Sequence, residues 1–229
     1  MKYTYKLFTI CFALLTISAC TDLDEILVGE VGAPFNGTEP AFGNFDGGGS
    51  GPADAVSSAY NALRDAGSAN HGGYWSVQSV SSDEMAVTQK GGDWYDGGIW
   101  INMHTHEFTS TNGPLNGAWG QQYSAIGACN TALAGSLDAN QTAQVRALRA
   151  FFYYRLLDMY GRVKIVTTPG VDAPQSTRAE VYAFVESELL ASLGISSVSM
   201  AMDLSSSPLG TSMDAYRINQ YAALGLLSK

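Results

Sequence analysis

Apolar side chains at helical spacing constrain the fold of this chain more than any other feature. In residues 145–159 they stand at Val145, Leu148, Phe152, Leu156 and Met159. This spacing places them on one stripe of an α-helix, and Gly161, just past the last of them, is a common kind of helix end. The segment is therefore predicted to be a helix that packs against a core.

Three other segments before residue 200 are also predicted to be helices. Residues 52–67 begin with a proline, which the first turn tolerates, and end at Gly67. Residues 115–133 place four large side chains on one stripe: Trp119, Tyr123, Ile126 and Leu133. Thr177 and Glu180 have the spacing of a capping box, and apolar residues then recur up to Gly194.

The segments between and after these helices complete the prediction. Residues 163–168 are a short β-branched run before Pro169, which is typical of an extended connector. Gly161 and Gly194 lie about one tetratricopeptide repeat apart, so a degenerate stack of helix pairs is expected. Residues 215–227 are predicted to be a helix with an exposed apolar face and no stop signal. We therefore expect an N-terminal fragment of a longer protein.

Charge excludes one class of partner. The chain has 229 residues, with 12 Lys and Arg against 21 Asp and Glu, and a formal net charge of −9. It carries no run of basic residues, whereas binding to nucleic acid needs a clustered basic face. Nucleic acid is therefore not an expected partner, and neutral ligands fit the composition better.

The N-terminus carries a targeting signal. Lys2 and Lys6 precede an apolar stretch that is too short to span a bilayer, and Ser18, Ala19 and Cys20 close it. This ending resembles a bacterial lipobox, which implies cleavage before Cys20 and acylation of its sulfur, with chains such as palmitate. Several acyl chains together anchor a protein durably. The alternative is an ordinary secretory signal.

The domain boundaries follow from that signal. Residues 1–19 are predicted to be a lipoprotein signal peptide, residues 20–51 a glycine-rich lipidated tether, and residues 52–229 one helical domain. The acidic residues 22–25 resemble a surface-export signal, or they simply begin a solvated linker. Cys129 has no partner after cleavage, so it is expected to be a buried small hydrophobe.

A glycine-framed loop at residues 90–98, with the sequence KGGDWYDGG, is the candidate binding site. A sugar ring has an apolar face and a rim of hydroxyl groups, so a binder needs a flat aromatic surface with polar groups beside it. Trp94 and Tyr95 would supply the surface, and Asp93, Asp96 and Lys90 the polar rim. In the alternative interpretation, Trp94 packs onto the helices and the glycines only make turns.

The other tryptophans and the histidines are expected to be structural. We expect Trp75, Trp100 and Trp119 in the core. His104 and His106 would share a face on a strand and could ligate a metal. No third residue has the sequence spacing typical of a metal ligand, so hydrogen-bonded structural roles are favoured for both histidines. The spacing of the loop aspartates does not match a calcium loop. No metal or cofactor is predicted.

Several separated stretches of this sequence resemble one family, the SusD/RagB outer-membrane nutrient-binding lipoproteins. Besides the lipobox, the matching stretches are residues 81–113, 119–130, 146–169, 178–189 and 217–227. The resemblance implies a mostly α, SusD-like fold with tetratricopeptide-type helix pairs and loop-rich excursions, truncated before its C-terminal part. It also implies a lipid-anchored protein of the cell outer membrane, facing outward, that binds an oligosaccharide, polysaccharide or other nutrient beside a TonB-dependent transporter.

Two other classes of function remain to be weighed. A helical scaffold lipoprotein would only dock partners through its repeats. A glycoside hydrolase would use paired carboxylates, and Asp93 with Asp96 is the candidate pair. The chain contains no G-x-S-x-G elbow, H-E-x-x-H sequence or P-loop. We therefore predict a binding protein and not an enzyme.

Overall fold

The fold is described from a computed structural model, in which residues 56–67, 72–88, 90–93, 95–211 and 217–229 are placed. These residues form seven α-helices: α1 (Ser57–Gly67), α2 (Tyr74–Val80), α3 (Ile99–His104), α4 (Gly113–Leu133), α5 (Ala139–Tyr160), α6 (Arg178–Leu193) and α7 (Gln220–Leu227). Short 3-10 turns lie at Asp96–Gly98 and Val198–Met202. The described residues contain two isolated β-bridges and no strand. The prediction of a mostly α fold is confirmed.

Local sequence signals define the ends of the long helices. In α6 the Thr177 side chain accepts a hydrogen bond from the Glu180 backbone N–H, and Glu180 accepts one in return from the Thr177 N–H, so the predicted capping box is confirmed. Asp138 and Gln141 form a second capping box at the start of α5. The helix α6 ends at Gly194, whose φ of 74° is left-handed. A Cβ there would lie 2.9 Å from Cδ of Pro208, so glycine is required for both reasons.

Successive long helices pack side by side around one core. The α5 residue Arg149 bonds to Glu188 of α6, while Tyr153, one turn later in α5, stacks edge-on against Phe184, one turn earlier in α6. These contacts run in opposite directions along the two helices, so α5 and α6 are antiparallel. The helix α4 also packs on α5, α1 packs on α4 and α5, and α7 packs on α6. This is the helix-pair arrangement that the sequence predicts.

A buried ion pair lies inside this core. The Arg149 and Glu188 side chains are 7% and 6% exposed, and Nη2 of Arg149 lies 2.6 Å from Oε2 of Glu188. Nη1 of Arg149 donates to the Asn130 side chain at 2.8 Å, and Asn130 donates to the Val166 carbonyl at 2.8 Å. Two charges taken out of water are stable only when they are paired and further hydrogen-bonded, as they are here. The network joins α4, α5, α6 and the connector between the last two.

Two tyrosines hold the extended connector after α5. The Tyr153 hydroxyl donates to the carbonyl of Val166 at 2.9 Å and accepts from its N–H at 2.7 Å. The Tyr123 hydroxyl makes the same pair of bonds to the backbone of Lys164, at 2.8 and 2.9 Å. These four bonds satisfy backbone groups that a neighbouring strand would otherwise pair. The predicted extended connector at residues 163–168 is therefore present without a sheet.

A smaller apolar cluster fixes the region around the candidate loop. Its buried members are Val77, Val80, Trp100, Met103 and Ala118. They come from α2, α3 and α4, so the two short helices are held on the N-terminal half of α4. Both ends of the loop at residues 90–98 are tied to this cluster, through Val87 before it and Trp100 after it.

Several sequence predictions lie outside the described residues: the signal peptide at residues 1–19, the lipidated Cys20, the tether up to residue 51, and Trp94. Among the described residues, Arg178–Met202 is long and apolar enough to cross a membrane. That is weak evidence, because buried core helices meet the same criteria, and Gly194 breaks this segment into α6 and a 3-10 turn.

Candidate functional site

The first half of the glycine-framed loop is a tight turn. Lys90 and Asp93 form an isolated antiparallel bridge, and the Asp93 N–H donates to the Lys90 carbonyl at 3.3 Å. Gly91 within the turn has a φ of 64°, which favours glycine. Both the Lys90 and the Asp93 side chains are exposed. The turn therefore presents one ammonium and one carboxylate to solvent, side by side.

These two side chains border a surface depression of about 230 Å³. Its other lining residues come from the segment before the turn: Met85, Ala86, Val87 and Thr88. The depression thus combines apolar and charged side chains, which is the composition that small polar ligands with apolar faces require.

Tyr95 supplies an aromatic surface next to the turn. Tyr95 is 40% exposed, which is high for a large hydrophobic residue. A Cβ at Gly98 would lie 3.8 Å from Cε2 and from the hydroxyl oxygen of Tyr95, so the ring rests against that glycine. The Gly98 N–H also donates to the Tyr95 carbonyl at 2.6 Å. The Gly98 φ of 83° restricts this position to glycine, and the tyrosine ring is held without being buried.

Asp96 anchors the second half of the loop. Its Oδ2 accepts a hydrogen bond from the Trp100 indole N–H at 2.8 Å, and Trp100 itself is only 2% exposed. Asp96 has a φ of 43°, a left-handed conformation that aspartate adopts more readily than most residues. The expectation that Trp100 is a core residue is confirmed. One carboxylate oxygen of Asp96 is therefore occupied in holding the loop to the apolar cluster.

The structure describes four of the five residues predicted to bind glycan, and it brings Lys90 and Asp93 together at a depression that Tyr95 and Asp96 do not line. Lys90 and Asp93 share the depression, and Tyr95 and Asp96 follow within the same loop. Trp94 lies between these residues in sequence, but it is outside the described part of the chain. Its role as a stacking surface stays a prediction.

The two histidines do not lie on a strand. His104 is the last residue of α3, and His106 has a left-handed φ of 60°. Nε2 of His106 lies 2.7 Å from the Ser81 carbonyl, which confirms the structural hydrogen bond predicted for it. Nδ1 of His104 is buried and has no hydrogen-bond partner among the described residues, so the same prediction is wrong for that atom. Within the described ranges, no group of three His, Cys, Asp or Glu side chains could hold a metal.

The expectation that Trp75 belongs to the core is wrong. Its side chain is 46% exposed. The helix α2 buries Ser76, Val77, Ser79 and Val80, and Trp75 lies at the edge of this buried side. Trp119, in contrast, packs against the main core as expected, with its ring centroid 4.9 Å from that of Tyr123.

Cys129 is the buried thiol that the sequence predicts. It has no disulfide partner and lies in the main core between α4 and its neighbours. Burial raises the pKa of its thiol to about 12, so the thiol is protonated at neutral pH. A protonated thiol is a poor nucleophile and a poor metal ligand, and this residue is structural.

Two larger clefts lie against the last helix. One of about 680 Å³ is bordered by Tyr154 of α5, Tyr182 of α6 and Leu226 of α7. The other, of about 480 Å³, is bordered by Tyr74 of α2, Phe151 of α5 and again Leu226. Both clefts are lined mainly by apolar and aromatic side chains.

Comparison with known proteins identifies the fold. No protein-family model matches the sequence, and no curated protein matches it. Among solved structures, a laminarin-binding SusD-like protein aligns with a TM-score of 0.58 and 23% identity, over 76% of this chain and 37% of that one. The fold is SusD-like.

Other solved structures agree. Surface glycan-binding protein A from Bacteroides uniformis aligns with a TM-score of 0.57 and 24% identity, over 76% of this chain and 39% of that one. A SusD homologue from Bacteroides thetaiotaomicron VPI-5482 aligns with a TM-score of 0.54 and 24% identity, over 76% of this chain and 34% of that one. The chain therefore spans well under half the length of the SusD-like structures that it matches. The predicted fold class is confirmed.

Proposed function

We propose that this protein binds neutral carbohydrate at the loop of residues 90–98. The observation that carries the proposal is the exposed Tyr95 ring, held against Gly98 in the same loop as the exposed side chains of Lys90 and Asp93. In the proposed site Trp94 and Tyr95 stack on sugar rings, while Lys90 and Asp93 bond to hydroxyl groups. The SusD-like fold supports this assignment, because solved structures of that fold include a laminarin-binding protein and surface glycan-binding proteins.

The proposed contacts are strong enough for millimolar affinity. Covering roughly 80 Å² of apolar surface contributes about 2 kcal/mol, at about 25 cal/mol per Å². A dissociation constant of about 1 mM requires only about 4 kcal/mol. One or two stacked rings and a few hydrogen bonds therefore suffice. A polymer that contacts the protein at several points gains further affinity through effective concentration.

Charge favours a neutral ligand over a polyanionic one. The protein has a net charge of −9, and its loop carries two carboxylates against one ammonium. A uronate-rich polymer would meet like charges at the loop and across the surface. Neutral glucans, mannans and related polymers meet no such repulsion.

The loop geometry supports binding rather than hydrolysis. A glycosidase needs two carboxyl groups that both face the scissile bond. One oxygen of Asp96 is occupied by the Trp100 indole N–H, so Asp96 is a positioning residue in this proposal. Incubation of the full-length protein with polysaccharide should therefore release no new reducing ends. A steady release of reducing ends that the Asp93→Asn variant abolishes would contradict the binding assignment.

The proposal places the protein at the outer face of the outer membrane. Its support is the lipobox-like ending at Cys20 and the resemblance of the sequence to outer-membrane nutrient-binding lipoproteins. There the protein would capture glycan and pass it to a TonB-dependent transporter. Cys20→Ala should release the protein from the membrane fraction, and pull-down with the wild-type protein should recover the transporter.

Affinity gel electrophoresis tests the binding site. The full-length protein is run through gels that contain laminarin, amylopectin, xyloglucan, galactomannan or polygalacturonate. We expect at least one neutral polymer to retard it, and Trp94→Ala or Tyr95→Ala to remove most of that retardation. Tyr221→Ala is the matched control, because Tyr221 is an exposed tyrosine of α7, which packs on α6. Equal retardation of wild type and both loop variants would overturn the site.

A scaffold role is the second candidate. The two apolar clefts beside α7 favour it, because such surfaces accept other helices or partner proteins. A pure scaffold requires that none of the five polymers retards the wild-type protein. Retardation by a neutral polymer that depends on Tyr95 would exclude it as the sole function.

A further inference from the structure

Trp75 is the exposed tryptophan that the proposed function leaves unused. Its indole is 46% exposed, whereas the described tryptophans Trp100 and Trp119 are buried and half-buried. Almost half of the largest side chain of this short helix therefore faces solvent. Solvent-facing tryptophan supplies a flat apolar surface with one N–H donor, which suits a ligand with both apolar and polar faces.

Polar side chains lie one helical turn from this indole and on the neighbouring helix. Gln78 is the i+3 neighbour of Trp75 on α2, so their side chains lie close together on the helix surface. Gln78 donates through Nε2 to Oδ2 of Asp158, an exposed residue near the end of α5, and the Tyr74 hydroxyl also donates to that oxygen, at 3.4 Å. Among the described residues, no hydrogen bond uses Oδ1 of Asp158 or Oε1 of Gln78. Two acceptor oxygens are therefore available beside the indole.

The arrangement is held firmly. The Arg155 guanidinium lies 3.9 Å from the centroid of the Tyr74 ring and 4.3 Å from that of Phe151, and its Nη1 donates to the Ala66 carbonyl. Tyr74 is thus clamped onto α5, and Trp75 follows it directly in α2. The chain just before α2 lies close to α4, because a Cβ at Gly117 would be 2.9 Å from the Gly72 carbonyl oxygen. An aromatic surface on a rigid support loses little entropy when it binds a ligand.

We propose that Trp75, with Gln78 and Asp158, forms a second binding site for neutral carbohydrate, separate from the loop of residues 90–98. The indole stacks on the apolar face of a sugar ring, and Oδ1 of Asp158 and Oε1 of Gln78 accept hydrogen bonds from its hydroxyl groups. An anionic ligand does not fit, because the Asp158 carboxylate faces it. This inference rests on the proposed function, since it assumes that the protein captures carbohydrate.

Two binding sites on one protein favour long ligands over short ones. A long polysaccharide that engages both is held by two contacts, the second of which forms at high effective concentration. A disaccharide can occupy only one site at a time and gains no such advantage. Loss of Trp75 should therefore weaken polymer binding much more than disaccharide binding.

The test compares polymer and disaccharide binding in three single variants of the full-length protein. The polymer is the one that retards wild type most among laminarin, amylopectin, xyloglucan and galactomannan, and the disaccharide is its repeating unit. We expect Trp75→Ala to weaken polymer binding about tenfold or more and Gln78→Ala a few-fold, with disaccharide binding changed less than threefold by either. Tyr221→Ala is the control for loss of an exposed aromatic and should match wild type. Circular dichroism verifies that each variant is folded.

The outcomes separate the two proposals. If wild type binds the polymer, Trp94→Ala removes binding and Trp75→Ala matches wild type, the second site is overturned and the proposed function stands. If no neutral polymer binds wild type, both are overturned. Oxidation of Trp75 by hydroxyl radicals, located by mass spectrometry, gives a test on the unmutated protein. The polymer should slow this oxidation, and an unchanged rate at saturating polymer would also overturn the second site.

Discussion

Polar groups are buried in the bundle formed by helices α4, α5 and α6, whereas they are exposed in the loop of residues 90–98. In the bundle, the charges of Arg149 and Glu188 are buried, paired and hydrogen-bonded further to Asn130. In the loop, the Lys90 and Asp93 side chains are exposed. In the bundle the polar groups join helices to one another, whereas in the loop they are available to a ligand.

The backbone is regular in the bundle and irregular in the loop. The bundle residues lie in long helices with capping boxes at Asp138 and Thr177. The loop has left-handed backbone at Asp96, Gly97 and Gly98, and the Asp96–Trp100 hydrogen bond ties it to the apolar cluster. A binding loop of this kind depends on a scaffold whose stability comes from elsewhere. Substitutions in the bundle should therefore change stability, and substitutions in the loop should change binding.

The largest expected effect is at the buried ion pair. Glu188→Ala leaves the Arg149 charge buried without its partner, so the free energy of unfolding should fall by about 3 to 5 kcal/mol. Urea denaturation of the full-length protein measures it. Asp172→Ala is the control, because the Lys164–Asp172 pair is exposed, and it should leave stability unchanged. Equal effects of the two substitutions would show that the bundle does not depend on its buried pair.

Alkaline pH should weaken the bundle through groups that are neutral when buried. Burial raises the pKa of Cys129 from 9.0 to about 12 and that of Tyr153 from 10.0 to about 12. The unfolded chain therefore releases these protons first, so the stability is fully present below pH 9 and is lost as pH rises from 9 to 12. We expect a loss on the order of 3 kcal/mol by pH 11. Denaturation curves between pH 8 and 11 check this, and Cys129→Ala should make the decline shallower.

The connector after α5 should depend on the hydroxyl groups of Tyr153 and Tyr123. Tyr153→Phe removes both bonds to Val166. The Val166 carbonyl keeps its bond from Asn130, but the Val166 N–H loses its acceptor beside the fully buried Tyr153 ring, which should cost about 1 to 3 kcal/mol of unfolding free energy. Tyr123→Phe removes the equivalent bonds to Lys164 at a half-buried position, and it should cost less, because water can replace them. The reverse order in urea denaturation would contradict this account of the connector.

The smallest effect on stability, with a clear effect on binding, is expected at Asp96. Asp96→Ala removes the bond that holds the loop to Trp100, so polysaccharide retardation should weaken several-fold. The free energy of unfolding should fall by about 1 kcal/mol, because the Trp100 indole N–H loses this acceptor. Asp96→Asn keeps an acceptor oxygen and tolerates the left-handed backbone, so it should restore binding. If Asn at this position binds as weakly as Ala, Asp96 contributes its charge to the ligand and not its hydrogen bond to the loop.

Features set by neighbouring residues were predictable from the sequence. The capping box at Thr177 and the helix ends at Gly161 and Gly194 follow from residues within one turn of each other, and the structure has them all. The apolar stripe of residues 145–159 predicted α5 because the period repeats over several turns. Long regular helices carry enough repeats for their pattern to be recognised.

Features set by distant partners were not predictable. Arg149 and Glu188 are charged residues on different helices, and nothing local marks them as buried. The exposed position of Trp75 was missed because α2 has only seven residues, too few to establish a period. Val77 and Val80, one turn apart, were the available signal for the buried side of that helix. The bonds of Tyr123 and Tyr153 to the connector likewise exist only after the helices have packed.

Calorimetric titration of the full-length protein with a neutral oligosaccharide measures whether the loop of residues 90–98 binds carbohydrate. The oligosaccharide is prepared from the polymer that retards the protein in gels, and wild type, Tyr95→Ala and Tyr221→Ala are titrated in parallel. The account predicts saturable binding to wild type and Tyr221→Ala, with a dissociation constant of about 1 mM or tighter, and at least tenfold weaker binding to Tyr95→Ala. Identical affinities of all three proteins would contradict it.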